Sequence, residues 1–240
     1  MPDILISAHA LSRHYESGEL RVAALDGVDL SIERGAFVVL AGRSGSGKTT
    51  LLNMLGGLDR PDGGTLLIAG HDMLAMSATK RAVFRLEHLG FVFQAYNLIR
   101  VLTARENVSY VLQLQGVSRK KRFDLADHWL AKVGLKGFEH RRPDQMSGGQ
   151  QQRVAVARAL ASSPDLVLAD EPTANLDSHT GESLMGLMRR LNEENGTTFI
   201  IASHDPVVTA SARTLISMQD GRIMSISSGR DDSACSPEPV

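Results

Sequence analysis

The sequence predicts an α/β fold with a mostly parallel sheet, an N-terminal antiparallel β portion and an inserted helical subdomain. Three observations carry this. Short runs, apolar on consecutive positions, end at chemically capable residues. Residues 37–41 end at a glycine-rich loop, 166–169 at Asp170-Glu171, and 199–202 at Ser203-His204. Such runs suit strands buried on both faces of a parallel sheet. A helical segment follows each run, near residues 48–55, 178–194 and 206–212, which is the alternation of a doubly wound fold. In such folds ligands bind at the carboxyl ends of the strands.

The other elements follow in chain order. Residues 4–10 and 28–32 alternate in the manner of an antiparallel sheet. Residues 98–114 and 121–133 read as amphipathic helices with no strand between them, so about 98–145 is expected to be a helical insertion. Residues 214–218 and 222–226 flank Asp220-Gly221, a pair that suits a tight primed turn and predicts a hairpin. After Ser227 the composition turns to Ser, Asp, Pro and Gly. One domain over 1–226 and a disordered tail over 227–240 are therefore expected.

Composition sets bounds on function. The 240 residues are 42% apolar and 22% charged, ordinary for a soluble globular chain. With 26 Lys plus Arg against 27 Asp plus Glu, the net charge is -1, which argues against a nucleic-acid partner. The apolar runs are far shorter than the roughly 20 residues that span a bilayer. The N-terminus lacks the pattern of a secretory signal. The single Cys235 gives neither a disulfide framework nor a cysteine metal cluster, and a reducing cytosol is the expected compartment.

Gly42-Arg43-Ser44-Gly45-Ser46-Gly47-Lys48-Thr49 matches G-x-x-x-x-G-K-[ST] and follows a predicted strand. Glycines let backbone amides curl around phosphate oxygens, and the helix that follows adds its positive end. Lys48 can reach the β and γ phosphates, and the Thr49 hydroxyl can ligate Mg²⁺. Gly42, Ser44, Gly45, Gly47, Lys48, Thr49 and Thr50 are the candidate nucleotide-binding residues. A dinucleotide loop is excluded, because Gly45-x-Gly47-x-x is followed by Thr50 and not by Gly or Ala. The motif makes the fold a phosphate-loop NTPase core.

Asp170 and Glu171 close a buried apolar run, where an unpaired charge is costly. A cation held by Asp170, directly or through water, explains the position. Glu171 can orient or deprotonate a water in line with the γ-phosphate. Further back, Ser147 and Gln150 form a capping-box pattern ahead of a helix over 154–161. The cap leaves Gly148 and Gly149 unexplained, since each glycine costs up to about 1 kcal/mol there relative to Ala. Their presence points to an anion approaching the backbone, and so to a second phosphate-binding element.

These motifs, in this order, resemble the ATP-binding subunit of ABC transporters over residues 4–226. The resemblance implies Mg-dependent ATP hydrolysis in a head-to-tail homodimer. Ser147, Gly148, Gly149 and Gln150 of one copy close on the ATP of the other. It further implies that Gln94 senses Mg²⁺ and the attacking water, that Asp177 communicates across the dimer, that His204 contacts the γ-phosphate, and that Tyr15 stacks on adenine. Three departures leave the catalytic groups in place: Met146 for the usual Leu, Ala174-Asn175-Leu176-Asp177 for the commoner Ser-Ala-Leu-Asp, and Ser203 where Thr is frequent. Residues 52–61, 93–98 and 102–108 resemble the lipoprotein-releasing and macrolide-efflux type, implying export of a lipoprotein, peptide or drug. The implied partner is a transmembrane permease on a separate chain, with this chain peripheral on the cytoplasmic face of the cell membrane. Tyr96, in the run Ala95-Tyr96-Asn97-Leu98-Ile99, is the expected anchor for a short helix of that partner. The rival reading, a soluble regulatory ATPase acting on ribosomes or DNA, is disfavoured by the single domain and the lack of heptads.

Overall fold

The computed structural model describes residues 3–17 and 20–228. The chain opens with two long antiparallel strands, β1 (Ile4–Ser17) and β2 (Leu20–Glu33). β3 (Phe37–Ala41) leads into α1 (Lys48–Leu55), then β4 (Gly63–Ile68), β5 (His71–Asp72), α2 (Ala78–His88) and β6 (Leu89–Phe93). Three helices precede the next strand: α3 (Ala104–Leu114), α4 (Arg119–Lys132) and α5 (Gly148–Leu160). The chain continues through β7 (Leu166–Asp170), α6 (Ser178–Asn195), β8 (Thr198–Ser203), α7 (Pro206–Ala210), β9 (Thr214–Gln219) and β10 (Arg222–Ser228).

Two sheets result. One is antiparallel, in the order β2-β1-β4-β5. The other runs β10-β9-β3-β8-β7-β6 and is parallel except where β10 turns back on β9. The three central runs alternate between two cores, as a two-residue period requires. Phe37, Val39, Val167, Ala169, Phe199 and Ile201 pack with α3 to α6. Val38, Leu40, Leu166, Leu168, Ile200 and Ala202 face α1 and the antiparallel sheet. Each fully buried large side chain contributes about 1.5–3 kcal/mol. The central sheet is thus anchored from both sides, and its strand ends are rigid places to mount chemistry.

Several element bounds depart from the sequence reading. β1 and β2 run well beyond the alternating stretches, because bulges break their period. The register shifts between Ala8 and Leu11, where Ala10 has φ 48°. α3 begins at Ala104 and not at residue 98. Thr103 caps it, receiving the Glu106 amide while the Glu106 carboxylate takes the Thr103 amide. The buried Asn107 side chain then folds residues 98–103 back as a loop, accepting from the Ile99 amide and donating to the carbonyls of Ile99, Leu102 and Thr103. β10 extends to Ser228, two residues into the expected tail over 227–240. The rest of the expected tail, Cys235 included, lies outside the described residues.

Candidate functional site

The carboxyl ends of β3, β7 and β8 open into a cavity of about 500 Å³. Its walls include Tyr15, Ser44, Gly45, Gly47, Lys48, Thr49, Thr50, Gln94, Asp170, Glu171 and His204. Residues far apart in sequence converge because parallel strands place all their carboxyl ends on one edge. Gly42 sits just behind the cavity. A Cβ there would run into the Met218 carbonyl and the Ser46 side chain, so the loop's tight first turn admits only glycine.

The loop is built to hold an anion. Gly47 has φ 101° and starts α1 without any side-chain cap, leaving the amides of the first turn to a ligand. Lys48 is only 6% exposed, and its Nζ donates to the carbonyls of Gly42 (2.6 Å) and Arg43 (3.1 Å). The Ser46 hydroxyl is buried and has no partner among the described residues. Sequence reasoning singles out Ser44 and not Ser46, whose mark is a buried hydroxyl without a partner among the described residues.

Opposite the loop, the Thr49 hydroxyl lies 3.2 Å from Asp170 Oδ1. Burial pushes the Asp170 carboxyl above its ordinary range; the adjacent Glu171 adds to this, while Thr49 and Lys48 oppose it. A cation beside these two oxygens would offset that burial. Among the described residues no group of three or more His, Cys, Asp or Glu could hold a metal ion. The hydroxyl and carboxylate oxygens of Thr49 and Asp170 are hard donors of the kind Mg²⁺ takes, with waters and phosphate oxygens as its other ligands.

Glu171 has φ 46°, left-handed backbone rarely used by a residue with a side chain. Its amide still donates to the Ala202 carbonyl at 2.9 Å, which ties the bend to β8. Its Oε1 lies 2.8 Å from His204 Nδ1, and its Oε2 accepts from the Ser203 hydroxyl at 3.1 Å. Two consecutive residues of one strand end thus fix the carboxylate. The sequence places Ser203 at this strand end without a role, and its bond to Glu171 supplies one.

At the mouth, Tyr15 is 39% exposed. Its hydroxyl donates to Asp59 at 2.8 Å, and the Arg13 guanidinium lies 4.8 Å from its ring centroid. Arg13 is itself paired with Asp59 and Asp62. The ring is braced on one face and at its tip.

Ser147, Gly148, Gly149, Gln150 and Asp177 do not line this cavity. Ser147 and Gln150 form the expected capping box at the start of α5. The helix begins at Gly148 itself, ahead of the expected 154. The two glycines have partners inside the chain. A Cβ on Gly148 would lie 2.7 Å from the Tyr96 hydroxyl, and one on Gly149 would lie 2.5 Å from Thr180 Cγ2. These contacts give each glycine a packing role inside the chain, beside the expected approach of an anion. Asp177 caps α6 by accepting from the Thr180 amide at 3.0 Å. Hydrogen bonds from Thr180 side chain and backbone hold its carboxyl below the usual range.

A family model described as ABC transporter matches residues 25–174, and an AAA domain model matches the shorter stretch 139–210. The chain is 46% identical over 214 residues to the macrolide export ATP-binding/permease protein MacB of Salmonella choleraesuis, covering 89% of this chain and 33% of that protein. It is 44% identical over 230 residues to the MacB of Hyphomonas neptunium, covering 96% and 36%. The chain thus spans about a third of the length of the curated relatives it matches. Among solved structures, it superposes with a TM-score of 0.87 and 40% identity on the ATP-binding cassette MJ0796, in a dimeric post-hydrolysis state bound to ADP and Pi. That match covers 94% of this chain and 99% of the other. Phosphate loop, acidic strand end, capped Ser147–Gln150 segment and these matches agree: the chain belongs to the ABC transporter family, as an ABC ATPase cassette.

Proposed function

We propose that this chain binds ATP with Mg²⁺ in the phosphate-loop cavity and hydrolyses it. The observation that supports this most is the convergence of Lys48, Thr49, Asp170, Glu171 and His204 on one cavity. Lys48 and the loop amides hold phosphate oxygens, and Thr49 and Asp170 hold the cation. Mg²⁺, when bound, neutralises phosphate charge and fixes the oxygens to which it is bonded. Gln94 sits at the cavity edge to orient the water, Glu171 takes its proton, and His204 contacts the γ-phosphate side. Tyr15 offers a braced ring to the adenine.

Within one chain the Ser147–Gln150 segment lies apart from the cavity, so its place in this reading is in trans. Two copies pair head to tail, and Ser147, Gly148, Gly149 and Gln150 of each close on the nucleotide of the other, with Asp177 beside the junction. Among the described residues no helix is long and apolar enough to cross a membrane. The cassette works at the cytoplasmic face of the membrane on a transmembrane permease that lies outside these 240 residues. A hollow of about 590 Å³ beside Ala95, Tyr96, Leu98, Pro143 and Gln151 would receive a short helix of that permease. The relatives named for macrolide export support an exported substrate of the drug class, and the lipoprotein and peptide classes rest on the resemblance of residues 52–61, 93–98 and 102–108. Steady-state phosphate release with Mg²⁺, and again with the cation chelated, tests the reading. ATP-dependent release that stops on chelation is expected; no release with Mg²⁺ present overturns it.

A further inference from the structure

The segment between β6 and α3 carries Gln94, yet few of its backbone bonds are its own. It contains two left-handed non-glycine residues, Tyr96 with φ 59° and Asn97 with φ 48°. Such backbone persists only where its surroundings hold it. Here the holding is done by side chains that reach the carbonyls. The Gln152 amide donates to the Phe93 carbonyl at 3.4 Å and to the Pro172 carbonyl at 2.8 Å. Asn175 donates to the Gln94 carbonyl at 2.9 Å. Arg158 donates to the carbonyls of Tyr96 (2.9 Å) and Asn97 (2.5 Å).

Two of the three side chains stand out energetically. Gln152 is fully buried, and its Oε1 has no partner among the described residues. A polar side chain in that position is costly unless its amide is needed where it points. Arg158 forms no ion pair among the described residues, and burial lowers its pKa. A guanidinium spent on two backbone carbonyls serves to fix their positions, since its fork is planar and rigid. Both residues lie on α5, whose first turn is the Ser147–Gln150 segment.

We propose that Gln152, Arg158 and Asn175 are positioning residues: together they clamp the carbonyls of residues 93, 94, 96 and 97 and so set where the Gln94 side chain stands relative to Glu171. Gln152 spans the two directly, because it bonds the residue before Gln94 and the residue after Glu171. A displacement of α5 at its Ser147 end is thereby carried to Gln94 of the same chain. This rests on the roles proposed above for Gln94 and Glu171.

The test combines amide hydrogen exchange on the nucleotide-free chain with steady-state ATPase. Gln152→Met keeps the length and removes both donors. Exchange at residues 93–98 should quicken while protection elsewhere stays as in the parent. The kcat should fall about tenfold or more with KM for ATP within about twofold, the pattern of a misplaced catalytic group. Arg158→Lys, which keeps the charge but replaces the two-nitrogen fork by a single ammonium nitrogen, should fall between parent and Arg158→Met, which removes every donor, in both readouts. Unchanged exchange at 93–98, or faster exchange spread evenly over the chain, overturns the clamp. So does an unchanged kcat in a variant whose loop has loosened. If Gln152→Met does not fold, Asn175→Ala decides, because that side chain is exposed and its loss removes one bond only. A parent chain without ATPase activity would sink the proposed function, while the exchange experiment would still judge the clamp.

Discussion

The phosphate-loop cavity and the Ser147–Gln150 segment are both helix N-termini, and they are finished in opposite ways. α1 starts from Gly47 with no side-chain cap, so its amides face open space lined by Lys48, Thr49 and Asp170. α5 starts from Ser147, whose hydroxyl and the Gln150 amide group close a capping box. An uncapped start is a receptor by itself. A capped start has part of its binding capacity satisfied internally, and a ligand there must be brought by another surface. The first site is legible as chemistry within one chain; in the reading proposed above, the second acts against a second molecule.

Lys48→Ala should break the first region most severely. It removes the buried charge proposed to reach phosphate oxygens, so hydrolysis should be lost and nucleotide binding greatly weakened. Calorimetric titration with ATP and phosphate release measure both, and normal turnover would remove the loop from the mechanism. Glu171→Gln comes next: retained ATP binding, hydrolysis slowed by about a hundredfold or more, and a dimer that accumulates with ATP but not ADP on size-exclusion chromatography.

Ser147→Arg addresses the second region. ATP affinity of the isolated chain should stay near that of the parent, because residue 147 lies outside the cavity, while hydrolysis is lost through failed closure. A purified heterodimer of Ser147→Arg with Lys48→Ala should recover partial ATPase from its one intact composite site. Weakened ATP binding by monomeric Ser147→Arg would place the segment in the cavity of its own chain instead.

The smallest expected effect separates packing from approach at Gly148. Gly148→Ala should lower the melting temperature, since its Cβ meets the Tyr96 hydroxyl. Adding Tyr96→Phe removes that oxygen and should restore stability, by about 1 kcal/mol on the scale of ordinary overpacking. If ATPase returns along with stability, Gly148 is needed only for fit inside the chain. If stability returns and ATPase does not, a partner needs the bare backbone.

Much of this architecture could be read from residue order. Runs 37–41, 166–169 and 199–202 announced their strands, because central parallel strands are apolar on every position. The phosphate loop and acidic strand end were equally legible, since their chemistry depends on fixed spacing. What escaped was long range. β1 and β2 were read short because bulges such as Ala10 break the alternation that marks a strand. α3 starts six residues later than its apolar pattern suggests, because Asn107, a polar residue inside the helix, folds the preceding loop onto it. Gln152 and Arg158 gave no motif, since their partners are backbone carbonyls whose positions only the tertiary fold defines. The glycines at 148 and 149 were seen, but the side chains that fill their Cβ positions come from Tyr96 and Thr180, distant in the chain.

The left-handed backbone at Glu171 makes position 171 answer to two separate demands in any saturation library. A left-handed residue with a side chain carries a conformational cost of order 1–3 kcal/mol, which glycine escapes and asparagine or aspartate largely tolerate. β-branched replacements add crowding at the same dihedral angles. Selection for cellular abundance should therefore favour Gly, Asn and Asp at 171 and deplete Val, Ile and Thr. Selection for transport should retain Glu alone. The two enrichment profiles would diverge at this codon, and the size of the divergence would report how far the carboxylate is held against the preference of its own backbone.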